Sequence, residues 1–195
     1  MSAGTHESSA RRIALAHDWI VARRGGEAVL AAVAESLAEF GELGPLFTMF
    51  DSGVRISTRV DAMAREVSLL DALPMAHRLR RWLLPAYHGA VAELSQRLAR
   101  EHERTPFDLL VSTSSAAILG LCAPAGVPHL CYLHTPARYV WSQGDAYARA
   151  SRLQAMGLEL WGGALRELDR DAARGVTMFV ANSSHTAALA RACYG

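Results

Sequence analysis

Hydrophobic positions along the chain fall into short unbroken runs that alternate with stretches of helical period. The runs are "RIALAH" (12–17), "PLFTMF" (45–50), "FDLLVSTSS" (107–115), "PHLCYLH" (128–134) and "VTMFVANSS" (176–184), with a weaker one at "REVSLL" (65–70). Each has the length and aliphatic character of a buried strand. Between them, "GEAVLAAVAESLAEF" (26–40) sets Val29, Leu30, Val33, Leu37 and Phe40 on one helical stripe. "PAYHGAVAELSQRLAREH" (85–102) does the same through Tyr87, Val91, Leu94 and Leu98, and opens on a proline suited to a first helical turn. A third helical stretch, 151–174, runs through Leu153, Met156, Leu160, Trp161, Leu165 and Leu168. Its adjacent Gly162 and Gly163 cost about 1 kcal/mol each against alanine and mark a place for a kink. Ser183 or Ser184 can cap the closing helix "HTAALARAC". Continuous apolar strands separated by helices predict a mainly parallel sheet covered on both faces, a Rossmann-like doubly wound α/β domain.

Composition narrows the class. The 195 residues are 51% hydrophobic and 20% charged, enough apolar material for one folded domain over residues 11–195, preceded by a polar, flexible tail over residues 1–10. A net charge of +1 gives no global attraction for nucleic acid, which is not an expected partner. Residues 116–133 carry no formal charge, but Pro124, Gly126 and Pro128 break a helix there, so two short buried elements joined by a turn are expected rather than a membrane span. His17 and Asp18 interrupt the apolar stretch near the N-terminus, against a signal peptide or anchor. Cys122, Cys131 and Cys193 show neither CxxC nor zinc spacing, as in a reducing cytoplasm, and the histidines lack HExxH spacing, so no metal is expected. Glu159 and Glu167 stand at a glutamate spacing seen in some sugar-nucleotide enzymes; Glu27 with Glu35 and Glu93 with Glu101 repeat it, so the spacing carries no information.

In a doubly wound sheet, ligands bind outside the carboxyl ends of the strands. Those ends carry His17 and Asp18, then Thr48 and Asp51, then Ser112 to Ser115 with Ser114 among them, then His134 to Arg138, then Asn182 and Ser183. Gly25 and Gly26 precede a helix whose first N–H groups favour an anion such as phosphate, although paired glycines also occur in ordinary turns. Glu27 follows in the first turn as a complement to the helix dipole. His134 stands at a strand's ligand edge with Pro136 restricting the backbone beside it; a satisfied core histidine is the competing reading. Arg78, Arg80 and Arg81, mixed with Trp82, Leu83 and Leu84, suit either an anionic membrane surface or a solvated helix face.

The segments "ALAHDW", "RRGGEAVL", "FDLLVSTSSAA", "CYLHTPARYVW" and "LDRDAARGVTMFVANSSHTA", in this order, resemble the N-terminal domain of family 4 glycosyltransferases of the GT-B fold, most of all the bacterial mannosyltransferase-like branch of polysaccharide and O-antigen assembly. The resemblance implies a retaining, metal-independent enzyme using a nucleotide-sugar donor such as GDP-mannose as co-substrate, and no bound cofactor. It implies transfer of a hexose to a lipid-linked or polysaccharide acceptor, in the cytoplasm and at the inner face of the membrane. Residues 11–195 would be the acceptor-side half, with the C-terminal donor-binding domain absent from this chain. Gly25 and Gly26 would face the donor diphosphate and His134 the transferred sugar, while His17, Asp18, Ser114, Arg138, Trp141, Asn182 and Ser183 would line the cleft or acceptor side. The family often has an acid after the tryptophan; here Ser142 follows Trp141 and the nearest acid is Asp145. The alternative is a non-catalytic glycan- or lipid-binding module, or a half that docks on a separately encoded donor domain.

Overall fold

A computed structural model describes residues 11–80, 82–141 and 152–195, of which 152–161 are described by backbone alone. The expected N-terminal tail, Arg81, Ser142 and Asp145, and the side chains of Leu153, Met156, Leu160 and Trp161 lie outside the described residues.

The apolar runs form strands β1 Arg12–Ile20, β2 Glu42–Asp51, β3 Arg65–Val67, β4 Leu109–Ser114, β5 His129–Leu133 and β6 Met178–Ala181. Every neighbouring pair is parallel, and the sheet order is β3-β2-β1-β4-β5-β6. The helical stretches form α1 Gly25–Leu37, α4 Tyr87–Arg104, α6 Arg152–Ala173 and α7 Ser184–Tyr194, and the structure adds three short helices, α2 Thr58–Ala62, α3 Ala76–Leu79 and α5 Arg138–Trp141. The chain is therefore a Rossmann-like doubly wound α/β domain.

Strand alternation divides the core between the two faces of the sheet. Ala14 and Ala16 of β1, Phe47 and Met49 of β2 and Leu110 of β4 pack with Tyr87, Val91, Leu94 and Leu98 of α4. Ile13, Leu15, Leu46 and Val111 point the other way, onto Leu30 and Ala34 of α1 and Val60 of α2. Side chains two apart on a strand share a face, so these central strands must be apolar at nearly every position. Residues 116–133 form the expected pair of elements: a 3-10 turn at Ile118–Gly120, a bend with Gly126 at φ +81°, and β5. Ser183 caps α7, its Oγ accepting from the Thr186 N–H at 3.1 Å.

Two expectations of detail are corrected. Phe40 is 67% exposed because α1 ends at Leu37 and the chain then turns into β2, leaving residue 40 off the helical stripe. Leu168 is 44% exposed on the outer side of α6. The same helix continues through Gly162 and Gly163.

Candidate functional site

The sheet order reverses at β1, which has β2 on one side and β4 on the other, and sheets of this kind bind ligands beyond the carboxyl ends of the strands at that point. Parallel register sets His17 of β1 beside Thr113 of β4, and His17 Nδ1 lies 2.6 Å from Thr113 Oγ1. His17 is only 3% exposed. One strand further along, β4 pairs Ser114 with Leu133, which delivers the next residue, His134, to the same edge.

The His134 backbone is tied on both sides. Its N–H donates to the Ser114 carbonyl at 2.8 Å, and its carbonyl accepts from Asn182 Nδ2 at 3.1 Å and Thr186 Oγ1 at 3.3 Å. Its ring packs edge-on against Tyr132 with centroids 5.2 Å apart. Nε2 is buried and has no hydrogen-bond partner among the described residues. A buried polar atom left in that state calls for a partner.

Gly26 shows where such a partner would sit. A Cβ built there would lie 3.7 Å from His17 Cε1, 4.0 Å from His17 Nε2 and 3.9 Å from His134 Nε2. Two imidazoles from different strands thus converge on one point above the first turn of α1, whose N–H groups have no helical acceptor of their own. Glycine at this position keeps the point open. At Gly25 a Cβ would meet nothing within 4 Å.

Electrostatics leaves both rings ready to share hydrogen bonds as neutral groups. Burial lowers the His17 pKa to about 3, with nearby His134 pushing the same way. Burial also lowers the His134 pKa, while the Glu27 carboxylate works in the opposite direction. Glu27 is 4% exposed, and its Oε2 accepts the Arg24 N–H at 3.1 Å. Complementing the dipole does not account for a buried carboxylate beside His134.

The remaining sequence-derived positions build the edge. Asp18 is 1% exposed, and its carboxylate accepts from the N–H groups of Ser115 at 2.5 Å and Ile118 at 3.0 Å. Burial pushes its pKa up to about 6 against the pull of those bonds. Asp18 therefore fixes the turn after β4, and Ser114 beside it is fully buried. Asn182 clamps His134, and Ser183 caps α7. Trp141 is engaged away from the histidines: its Nε1–H donates to Asp169 Oδ2 at 2.6 Å, and its ring lies 4.9 Å from the Arg170 guanidinium and edge-on to Tyr194. Arg138 is exposed at the start of α5. Arg78 is exposed and Trp82 is 54% exposed on a separate segment, while Arg80 donates to the His77 carbonyl at 2.6 Å.

Sequence patterning missed the pairing of Thr113, one of the strand-end positions 112–115, with His17, the burial of Glu27, and Thr186 altogether. The first was legible in principle, because His17 and Thr113 end two strands that lie side by side. A cavity of about 810 Å³ lined by Arg12, Gly41, Pro45 and Arg59 lies at the amino ends of β1 and β2, away from these groups. Among the described residues no cluster of three or more His, Cys, Asp or Glu side chains could hold a metal ion, and no helix is long and apolar enough to cross a membrane.

The fold and this edge define a doubly wound α/β domain in which two histidines meet at the first turn of α1, at the topological switch point of the sheet. No protein-family model matches the chain, and no curated protein matches it significantly.

Proposed function

We propose that this chain is the acceptor-side half of a retaining glycosyltransferase of the GT-B type, working in the cytoplasm with a nucleotide-sugar donor and a lipid-linked or polysaccharide acceptor. The observation that carries this is the meeting of His17 and His134 at the open face of Gly26, with His134 Nε2 buried and unpartnered. A hexose hydroxyl or a phosphate oxygen above Gly26 satisfies that nitrogen. The first-turn N–H groups of α1 supply donors for an anionic oxygen. The β4 and Asn182 contacts hold the His134 backbone, so little ordering is needed when a ligand arrives. In transfer, His134 donates a hydrogen bond where charge develops as the bond from sugar to phosphate breaks, a role worth roughly a hundredfold or more in rate.

A donor-binding α/β half completes the reaction centre. The test is mannose transfer from GDP-mannose to a lipid-linked acceptor by this chain joined to such a half, together with histidine-resolved NMR of the chain alone. Pyrophosphate and GDP-mannose are expected to move the His134 and Gly26 resonances, and His134→Ala to abolish most turnover with its denaturation midpoint retained. Transfer at the wild-type rate by a folded His134→Ala protein removes the role of His134. Silent His134 and Gly26 resonances at saturating ligand remove the site.

A further inference from the structure

Glu27 stands in the first turn of α1, and its Oε2 accepts the N–H of the N-cap residue Arg24 at 3.1 Å. A glutamate that caps a helix in this way ordinarily keeps its charge in water. This one is 4% exposed. Arg23 and Arg24 are both exposed, and among the described residues no cation pairs with the Glu27 carboxylate. One backbone N–H is its single hydrogen bond there, although a carboxylate accepts about four. A buried charge so sparsely bonded is costly until a further partner meets it.

The His134 ring is incomplete in the same place. Its Nε2 lies 3.9 Å from the Cβ position of Gly26, the residue before Glu27, and is buried without a hydrogen-bond partner. The carboxylate and the ring attract each other, yet no hydrogen bond or ion pair joins them. Two buried polar groups thus border one small space without bonding, and an atom between them completes both.

The chemistry of the two sides restricts that atom. An ionised carboxylate only accepts hydrogen bonds, so whatever meets Glu27 must bring a hydrogen. With Nε2 of His134 donating from the other side, the bridging atom accepts one hydrogen bond and donates another. A hydroxyl oxygen does both. An ionised phosphate oxygen accepts from His134 but offers Glu27 no hydrogen, and it sets a second negative charge beside the first. The bond from a hydroxyl to a carboxylate is charge-assisted and roughly twice as strong as a neutral one.

We infer that Glu27 is a specificity-determining residue of this crevice, its carboxylate accepting the hydrogen of a sugar hydroxyl that is seated over Gly26 and bonded on its other side to His134, so that this point takes a hydroxyl in preference to a phosphate oxygen. A phosphate on the same ligand is left to the free N–H groups at the start of α1. This role of Glu27 rests on the crevice being a ligand site, as proposed above, and the two fail by different results.

The experiment is NMR titration of the full chain with mannose 1-phosphate and with methyl phosphate at about pH 8, where both monoesters are dianions, following the His134 and Gly26 resonances. The ratio of the two affinities isolates the sugar. The wild type is expected to prefer mannose 1-phosphate about tenfold. Glu27→Gln retains an oxygen for the Arg24 N–H, and is expected to cut the preference about fivefold or more while methyl phosphate binds as tightly as before or tighter, a like charge having gone. Glu27→Asp keeps the charge but draws it back from the crevice, and is expected to lose the preference with methyl phosphate affinity unchanged. A carboxylate that merely holds α1 together would instead weaken both ligands alike, in step with the denaturation midpoint. The role of Glu27 is overturned if the wild type binds the two esters equally, if both variants keep the wild-type preference, or if Glu27→Gln weakens both esters to the same degree; phosphate binding at Gly26 with any of these results leaves the crevice standing. If neither ester moves the wild-type resonances, the crevice is no ligand site and the role of Glu27 falls with it.

Discussion

Replacing Gly26 by alanine separates what holds α1 together from what the crevice does. The new methyl lies 3.7 Å from His17 Cε1 and 3.9 Å from His134 Nε2, ordinary contact distances that require no movement. Gly26 does not occupy the left-handed region, so alanine adopts the same backbone. Glycine in a helix costs roughly 0.5–1 kcal/mol relative to alanine, so the variant gains up to that amount in stability. The methyl also fills the point that His17 and His134 share. A ligand oxygen excluded from it leaves His134 Nε2 buried without a partner, a loss of about 1–3 kcal/mol, or roughly fivefold to more than a hundredfold in affinity. Gly25→Ala is the control, because its Cβ meets nothing within 4 Å and it brings the same helical gain. Urea denaturation and pyrophosphate or GDP-mannose titration of the three proteins give both quantities. If Gly26→Ala binds as the wild type does, or if both variants lose affinity equally, the histidines do not share a ligand and the crevice reasoning fails.

Acid stability tests the buried histidines. Burial holds the pKa of His129, fully buried beside Ser112, at about 4, below its unfolded value of 6.5, so the unfolded chain takes up the proton first. That contribution is complete above pH 6.5 and is lost as pH falls toward 4, amounting to about 2 kcal/mol by pH 5. The gap between the urea midpoints at pH 7 and 5 is therefore expected to narrow by that amount in His129→Leu, the buried His17 keeping its own share of the slope, and an unchanged pH slope refutes the assignment. Asp169→Ala strands the Trp141 Nε1–H and the Tyr194 hydroxyl, both donors to Oδ2, and is expected to cost about 2–3 kcal/mol. Denaturation together with tryptophan emission checks this, and a loss under about 0.5 kcal/mol shows that water replaces the carboxylate without penalty.

Most of the fold was legible because its strands are buried on both faces, and a run such as "IALA" can satisfy two helical layers only at the centre of a parallel sheet. Placing side chains needed register. His17 and His134 lie 117 positions apart in sequence, yet strand ends alone indicated that both reach one edge. That they meet at Gly26 depends on β4 lying between β1 and β5, a fact of strand order that no local pattern encodes. The same limit explains why Asp18 took a different part from the one the strand-end rule suggested, and Trp141 from the one the resemblance implied. A carboxylate at a strand terminus can face a ligand or turn back to bind the N–H groups of a neighbouring loop, and sequence spacing is the same in both cases. Asp18 turns back because the Ser115–Ile118 turn, coming from a strand ninety-odd residues later, brings it N–H donors. Trp141 follows Asp169 because α6 packs against α5 and offers a buried acceptor. Glu27 is the converse case: a first-turn glutamate usually faces solvent, and only the packing of α1 against β1 and the His134 edge buries its charge where a proton on His134 would neutralise it.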